Sequence, residues 1–186
     1  MKYTSLLLVA LAFTALSLTV PGCTSSTPAP AQATQKGAAF LQALRNAEYS
    51  VDFINTGKAR LKDGVFEEPA APGSATTTRV QLGEERALGD VNGDGAEDAA
   101  VTLWVQPGGT GTFHYVAVVI NEKGMPKPLA PEFLGDRIIV KSLAIQPGKV
   151  VVTLLERRPD EPMTAKPTIE VTRTFKLQGG KLVEVK

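Results

Sequence analysis

The sequence predicts a mainly β fold: an antiparallel sandwich or partly open barrel with one short N-terminal helix. Three observations carry that expectation. Short stretches rich in Val, Ile, Thr and aromatic residues alternate apolar with polar positions, the period of a half-buried strand. Turn pairs such as Asp63-Gly64, Pro147-Gly148 and Gly179-Gly180 separate them. Beyond the first thirty or so residues, only one stretch has helical spacing. Strand after strand with short turns favours sheet packed on sheet.

The elements follow in order. Residues 36–46 place Ala39, Phe40, Ala43 and Leu44 on one face, so a short helix is expected. Tyr49, Val51 and Phe53 alternate with Ser50 and Asp52, which predicts a strand. Asp63-Gly64, between residues 59–61 and 65–66, predicts a hairpin. Residues 76–82 alternate and are β-branched, so they form a further strand, and 84–88 lead out of it. Residues 99–105 and 112–121 are strands, the second closing on the turn Glu122-Lys123-Gly124. Residues 137–146 and 149–156 flank Pro147-Gly148, and 168–177 and 182–186 flank Gly179-Gly180: two more hairpins. Residues 157–167 form a polar, proline-bearing loop.

Composition narrows the function classes. With 20 basic and 19 acidic side chains the net charge is +1, and no electrostatic field argues for nucleic acid. The single cysteine, Cys23, forbids an intrachain disulfide or a multi-Cys zinc site, and the single histidine, His114, forbids multi-His sites. A lone His114 between Phe113 and Tyr115 in a strand reads as a packed or rim residue before it reads as a catalyst. No Gly-x-Ser-x-Gly elbow occurs. Asp136-Arg137 suits a local pair, and Trp104 and Phe113 suit the core or its edge.

Lys2 gives the chain a basic start, residues 6–20 are apolar apart from Thr and Ser, and Gly22 precedes Cys23. That order is a secretory signal over residues 1–22. The cysteine directly behind it resembles the lipobox of bacterial lipoproteins. The resemblance rests on Val20, Gly22 and Cys23, with Pro21 an unusual middle residue. It implies cleavage before Cys23 and acylation of that residue with chains such as palmitate. Two or three chains hold a membrane far better than one. Cleavage removes Lys2 alone from the charged residues, so 19 basic side chains would face 19 acidic ones, and no polybasic patch assists the lipid. Thr24 follows the cysteine, so in a host with two membranes the family's sorting rule implies the outer one. Residues 23–35, rich in Thr, Ser, Pro and Ala, are then the lipidated cysteine and a flexible tether of roughly 20 Å reach. Residues 36–186 are expected to form a single β-rich domain.

One short segment stands out inside that domain. Asp90, Asn92 and Asp94 recur every second residue, Gly95 follows, and Asp98 closes the set before an apolar run. Hard cations need six to eight oxygens, and alternate side chains of a tight loop supply them. The same residues can instead cap their own backbone in Asx turns, with Gly93 and Gly95 at positive φ, and form a metal-free turn. Asp-x-Asn-x-Asp-Gly-x-x-Asp resembles the loops of FG-GAP and VCBS repeats and, more distantly, the EF-hand. The resemblance implies Ca2+ held by the side chains of Asp90, Asn92, Asp94 and Asp98 and the carbonyl of Ala96, at about 10⁻⁴–10⁻³ M. Val101 stands where an EF-hand needs a bidentate Glu, and strand spacing rather than helical spacing follows. The loop does not recur, which argues against a propeller.

Residues 88–100, Gly111-Thr112-Phe113, Leu134-Gly135-Asp136-Arg137 and Val171-Thr172-Arg173-Thr174-Phe175 resemble small bacterial envelope domains without assigned activity. The expected function is therefore a lipid-anchored cell-envelope protein with a non-enzymatic binding or structural role toward an unidentified partner or ligand. The alternative is an envelope hydrolase with a metal or carboxylate site near the acidic loop.

Overall fold

Strand β5 (Asp98–Gln106) is the centre of the molecule, because its residues 98–103 and Val105 are all buried. A run of Ala99-Ala100-Val101-Thr102-Leu103 has no polar face to offer water, so it settles where both faces are covered. The computed structural model describes residues 30–185, with side chains from Gly37 onward. The expected signal peptide, Cys23 and the first part of the expected tether, residues 23–29, lie outside the described residues.

Among the described residues the fold is mainly β, with antiparallel sheets and one helix. Helix α1 spans Pro30–Leu44, starting six residues before the expected position. Proline suits a first helical turn, since the amide it lacks has no partner there. The strands are β1 (Glu48–Ser50), β2 (Lys58–Arg60), β3 (Val65–Pro69), β4 (Thr77–Gly89), β5, β6 (Phe113–Glu122), β7 (Met125–Pro128), β8 (Glu132–Asp136), β9 (Ile139–Gln146), β10 (Lys149–Glu156), β11 (Ile169–Gln178) and β12 (Lys181–Val185). The central sheet runs β3-β4-β5-β6-β7, with β8 also paired to β6. A second sheet runs β12-β11-β10-β9, and β1 and β2 form a two-stranded ribbon.

Two cores use opposite faces of the central sheet. One gathers Phe40 and Leu44 of α1, Tyr49 and Ala59 of the ribbon, and Val101, Leu103, Val105, Ala117 and Val119. The other gathers Ala100, Val116 and Val118 with Val150, Val152, Leu154, Phe175 and Leu182 of the second sheet. Alternation along β5 and β6 sends odd-numbered side chains to the first core and even-numbered ones to the second, the period of two that a strand imposes. The result is a β sandwich whose outer face carries the helix and ribbon.

Several expectations change. The strand at Tyr49 stops at Ser50, and Phe53 is left 51% exposed at φ 66. The Asp63-Gly64 turn forms, with both residues at positive φ and Lys62 and Val65 bridged. It does not join a hairpin: β2 pairs with β1, and β3 with β4. The turn instead receives the end of α1, where the Gly64 N–H donates to the Arg45 carbonyl at 2.7 Å and the Asp63 N–H to Asn46 Oδ1 at 3.1 Å. Strand β4 runs on to Gly89 through a bulge, and β7 and β8 were not expected as strands. The hairpins at Pro147-Gly148 and Gly179-Gly180 stand as expected.

Candidate functional site

The acidic loop joins β4 to β5, as a loop-to-strand form requires. Asp90 Oδ1 accepts the Gly93 N–H at 2.7 Å and Oδ2 the Gly95 N–H at 2.9 Å. Asn92 Oδ1 accepts the Asp94 N–H at 2.9 Å, and Asp94 Oδ1 the Ala96 N–H at 2.7 Å. Asn92 Nδ2 donates to Asp94 Oδ2 at 2.8 Å. These are successive Asx turns, made possible by Gly93 and Gly95 at φ 82 and 83. The Gly95 amide, more than any other group, holds the Asp90 carboxyl below its usual range.

Asp98 is separate from that set. It is fully buried, and its Oδ2 accepts the Val91 N–H at 3.2 Å while Oδ1 accepts the Asn121 N–H of β6 at 2.9 Å. Asn121 answers by donating from Nδ2 to the Glu97 carbonyl at 3.0 Å. Asp98 therefore rivets the loop to the central sheet, while Asn92 and Asp94 stay exposed. Among the described residues, no group of three or more His, Cys, Asp or Glu side chains converges as a metal site. Each loop oxygen keeps a second lone pair. A cation here would share the oxygens of Asp90, Asn92 and Asp94 with the backbone amides they accept from, and those of Asp98 with the amides of Val91 and Asn121.

The other singled-out motifs also bind main chain. Asp136 Oδ1 accepts the Thr112 N–H at 2.9 Å, and Arg137, at φ 52, donates its N–H to the Thr112 carbonyl at 2.7 Å. Arg157 reaches across to the carbonyls of Asp136 and Arg137 at 2.6 and 3.0 Å. Partial burial pushes the Asp136 carboxyl up, but the bonds from Arg137 and Thr112 outweigh it and hold the group low. Arg173 pairs with Glu184 through two contacts of 2.9 and 2.6 Å and donates to the Leu134 carbonyl at 2.9 Å, linking the second sheet to β8.

A cleft of about 320 Å³ lies where β4 bulges. Leu82 pairs with Leu103 and Arg86 with Val101, so Gly83, Glu84 and Glu85 together face Thr102. The register places Gln81, Trp104, His114 and Gly135 side by side across four strands. Glu85 turns back into the cleft, where its Oε2 accepts the Thr102 hydroxyl at 3.2 Å. Ile138, Ile139 and Val140 form the apolar side. Burial pushes the His114 imidazole below its usual value, against an opposing pull from Glu85 and Asp136. From the sequence His114 reads as a packed or rim residue and Trp104 as a core or edge one, but nothing there brings Glu85 and Thr102 beside them. Gly83 inside a strand and Thr102 inside an apolar run are the signals that could have found them.

A second, larger cleft of about 520 Å³ separates the acidic loop from the Pro147-Gly148 turn. Asp90 is the one charged residue lining it.

Comparison with protein-family models, curated proteins and solved structures found no match.

Proposed function

We propose that the chain is a lipid-anchored cell-envelope protein whose β domain has a non-enzymatic binding or structural role. The observation that carries this reading is Cys23 placed directly behind an apolar segment, at residues 6–20, and Gly22. Cys23 would be the acylated residue, the membrane its first partner, and the outer membrane its seat in a host with two. A structural or binding role draws support from what the polar motifs do. Asp98, Asp136, Arg157 and Arg173 each spend hydrogen bonds on main-chain groups far away in the sequence.

Cys23→Ser, expressed in a host that processes lipoproteins, moves the protein from the membrane to the soluble fraction. Continued membrane association after that change would overturn acylation as the anchor. The hydrolase alternative near the acidic loop predicts that Asp94→Ala abolishes turnover of envelope esters or glycans while the protein stays folded. The binding reading predicts a change in stability alone.

Calcium is a second reading of the loop, favoured by the exposed side chains of Asn92 and Asp94 beside an Asp90 held in its charged form. Sharing these oxygens with an ion would stiffen the loop at the about 10⁻⁴–10⁻³ M affinities of extracellular modules. Millimolar calcium then raises the Tm of wild type and not of Asp90→Ala/Asp94→Ala. No shift leaves the Asx-turn network as the loop's whole role.

A further inference from the structure

The geometry points to the cleft at the β4 bulge as a binding site for a small organic ammonium ion, held by Glu85 and Trp104. This rests on the binding reading above and names the chemistry of the ligand.

Charge sets the class of ligand. The ionisable side chains lining the cleft are Glu84, Glu85 and His114, with no lysine or arginine. Glu85 uses Oε2 on the Thr102 hydroxyl and retains Oε1 as an acceptor. Among the described residues neither ring nitrogen of His114 has a hydrogen-bond partner, and neither is sealed off, since no buried side-chain polar atom there lacks a partner. A neutral imidazole offers one acceptor nitrogen. Trp104, next to His114 in the register, adds an indole, the ring that attracts cations best. A carboxylate, an imidazole acceptor and an indole beside an apolar wall of Ile138 and Ile139 match a cation carrying a short hydrocarbon group. At about 320 Å³ the cleft is at the small end of ligand sites, a size that suits a small cation.

The cleft is also built rather than incidental. A Cβ on Gly83 would stand 1.9 Å from Thr102 Oγ1, so the bulge closes on Thr102 only with glycine at that place. Gly135 beside His114 leaves the far end of the row without a side chain.

The chain carries one tryptophan and one histidine, and both line this cleft, so each is an unambiguous reporter. The test titrates the full-length protein in detergent with ethylammonium chloride, reading Trp104 fluorescence and the His114 ring resonances by NMR. Sodium chloride at equal ionic strength, sodium acetate and glycerol are the controls. The expected result is a saturable change at both reporters with ethylammonium alone. Glu85→Gln, which keeps a partner for Thr102, should weaken it about tenfold or more, while Asp160→Asn, at an exposed carboxylate outside the cleft, leaves it unchanged. Overturning results are no saturation, the same response with sodium, a preference for acetate or glycerol, or an undiminished response in folded Glu85→Gln. If Glu85→Gln does not fold, the two wild-type reporters and their controls still decide. Failure here with Cys23 still anchoring the protein rejects the ligand and leaves the envelope assignment standing.

Discussion

Asp98 shows how one side chain can serve an end that its spacing does not suggest. The motif made it the last of four oxygens around a cation. The fold buries it completely and gives both oxygens to backbone amides. Hydrogen bonds to a charged acceptor contribute about 1.5–3 kcal/mol each, and stranded buried amides cost more. Asp98→Ala should therefore lower unfolding free energy by at least about 2 kcal/mol in urea, and Asp98→Asn by less, because an amide oxygen can replace one of the two acceptors. Asp90 gives an acid limb. Its folded value is below its unfolded one, so its contribution is complete above the ordinary carboxylate range and is lost as pH falls through the folded value. Asp90→Asn should flatten the loss of Tm at low pH. His114 acts at milder pH with the same sign. Its folded value lies below 6.5, so under that pH the unfolded chain binds more protons and stability falls. A fall in Tm below about pH 6.5 that His114→Phe removes is the expected measurement. The Asx turns were legible in the residue types. Burial of Asp98 was not, because its second partner, Asn121, is 23 residues away.

At the scale of elements, periodicity located the long strands and the turn pairs located their ends. Strands β7 and β8 escaped because Pro126, Pro128 and Gly135 break the pattern. They lie end to end along β6, at the margin of the central sheet, where proline is tolerated. The Asp63-Gly64 turn was legible, but whether its flanking strands pair together depends on α1, which occupies the turn. The β4 bulge had only Gly83 as its mark. Gly83→Ala forces Thr102 aside and should cost about 1–3 kcal/mol, read as a lower denaturation midpoint together with an altered Trp104 emission. Strand position should also rank truncations. Leu103→Ala in β5, fully buried, should cost about 2–5 kcal/mol. Val183→Ala in β12, 41% exposed, should stay within about 0.5 kcal/mol.

The molecule as a whole is layered: helix and ribbon, central sheet, second sheet. The mainly β, sandwich-type architecture was legible because turn spacing and alternation are local. The layer order was not, because no local pattern says which face of β5 meets α1. Three of the sequence's motifs turn out to touch: Arg173 in β11 donates to Leu134 in β8, and Asp136 holds Thr112. Their separation along the chain hid this, and their shared use of main-chain acceptors and amides explains why those residue types stand there. If the β domain is held together in this way, far-ultraviolet circular dichroism should be strand-dominated, and thermal unfolding should follow one transition by fluorescence and dichroism alike.

The double coverage of β5 has a consequence for how the protein breathes. Each neighbouring layer shields a different row of its side chains, so shedding either layer still leaves the other in place. Amide protons at residues 99–105 should then be the last to trade with deuterated solvent, at the rate of global opening, while those of β12 trade early.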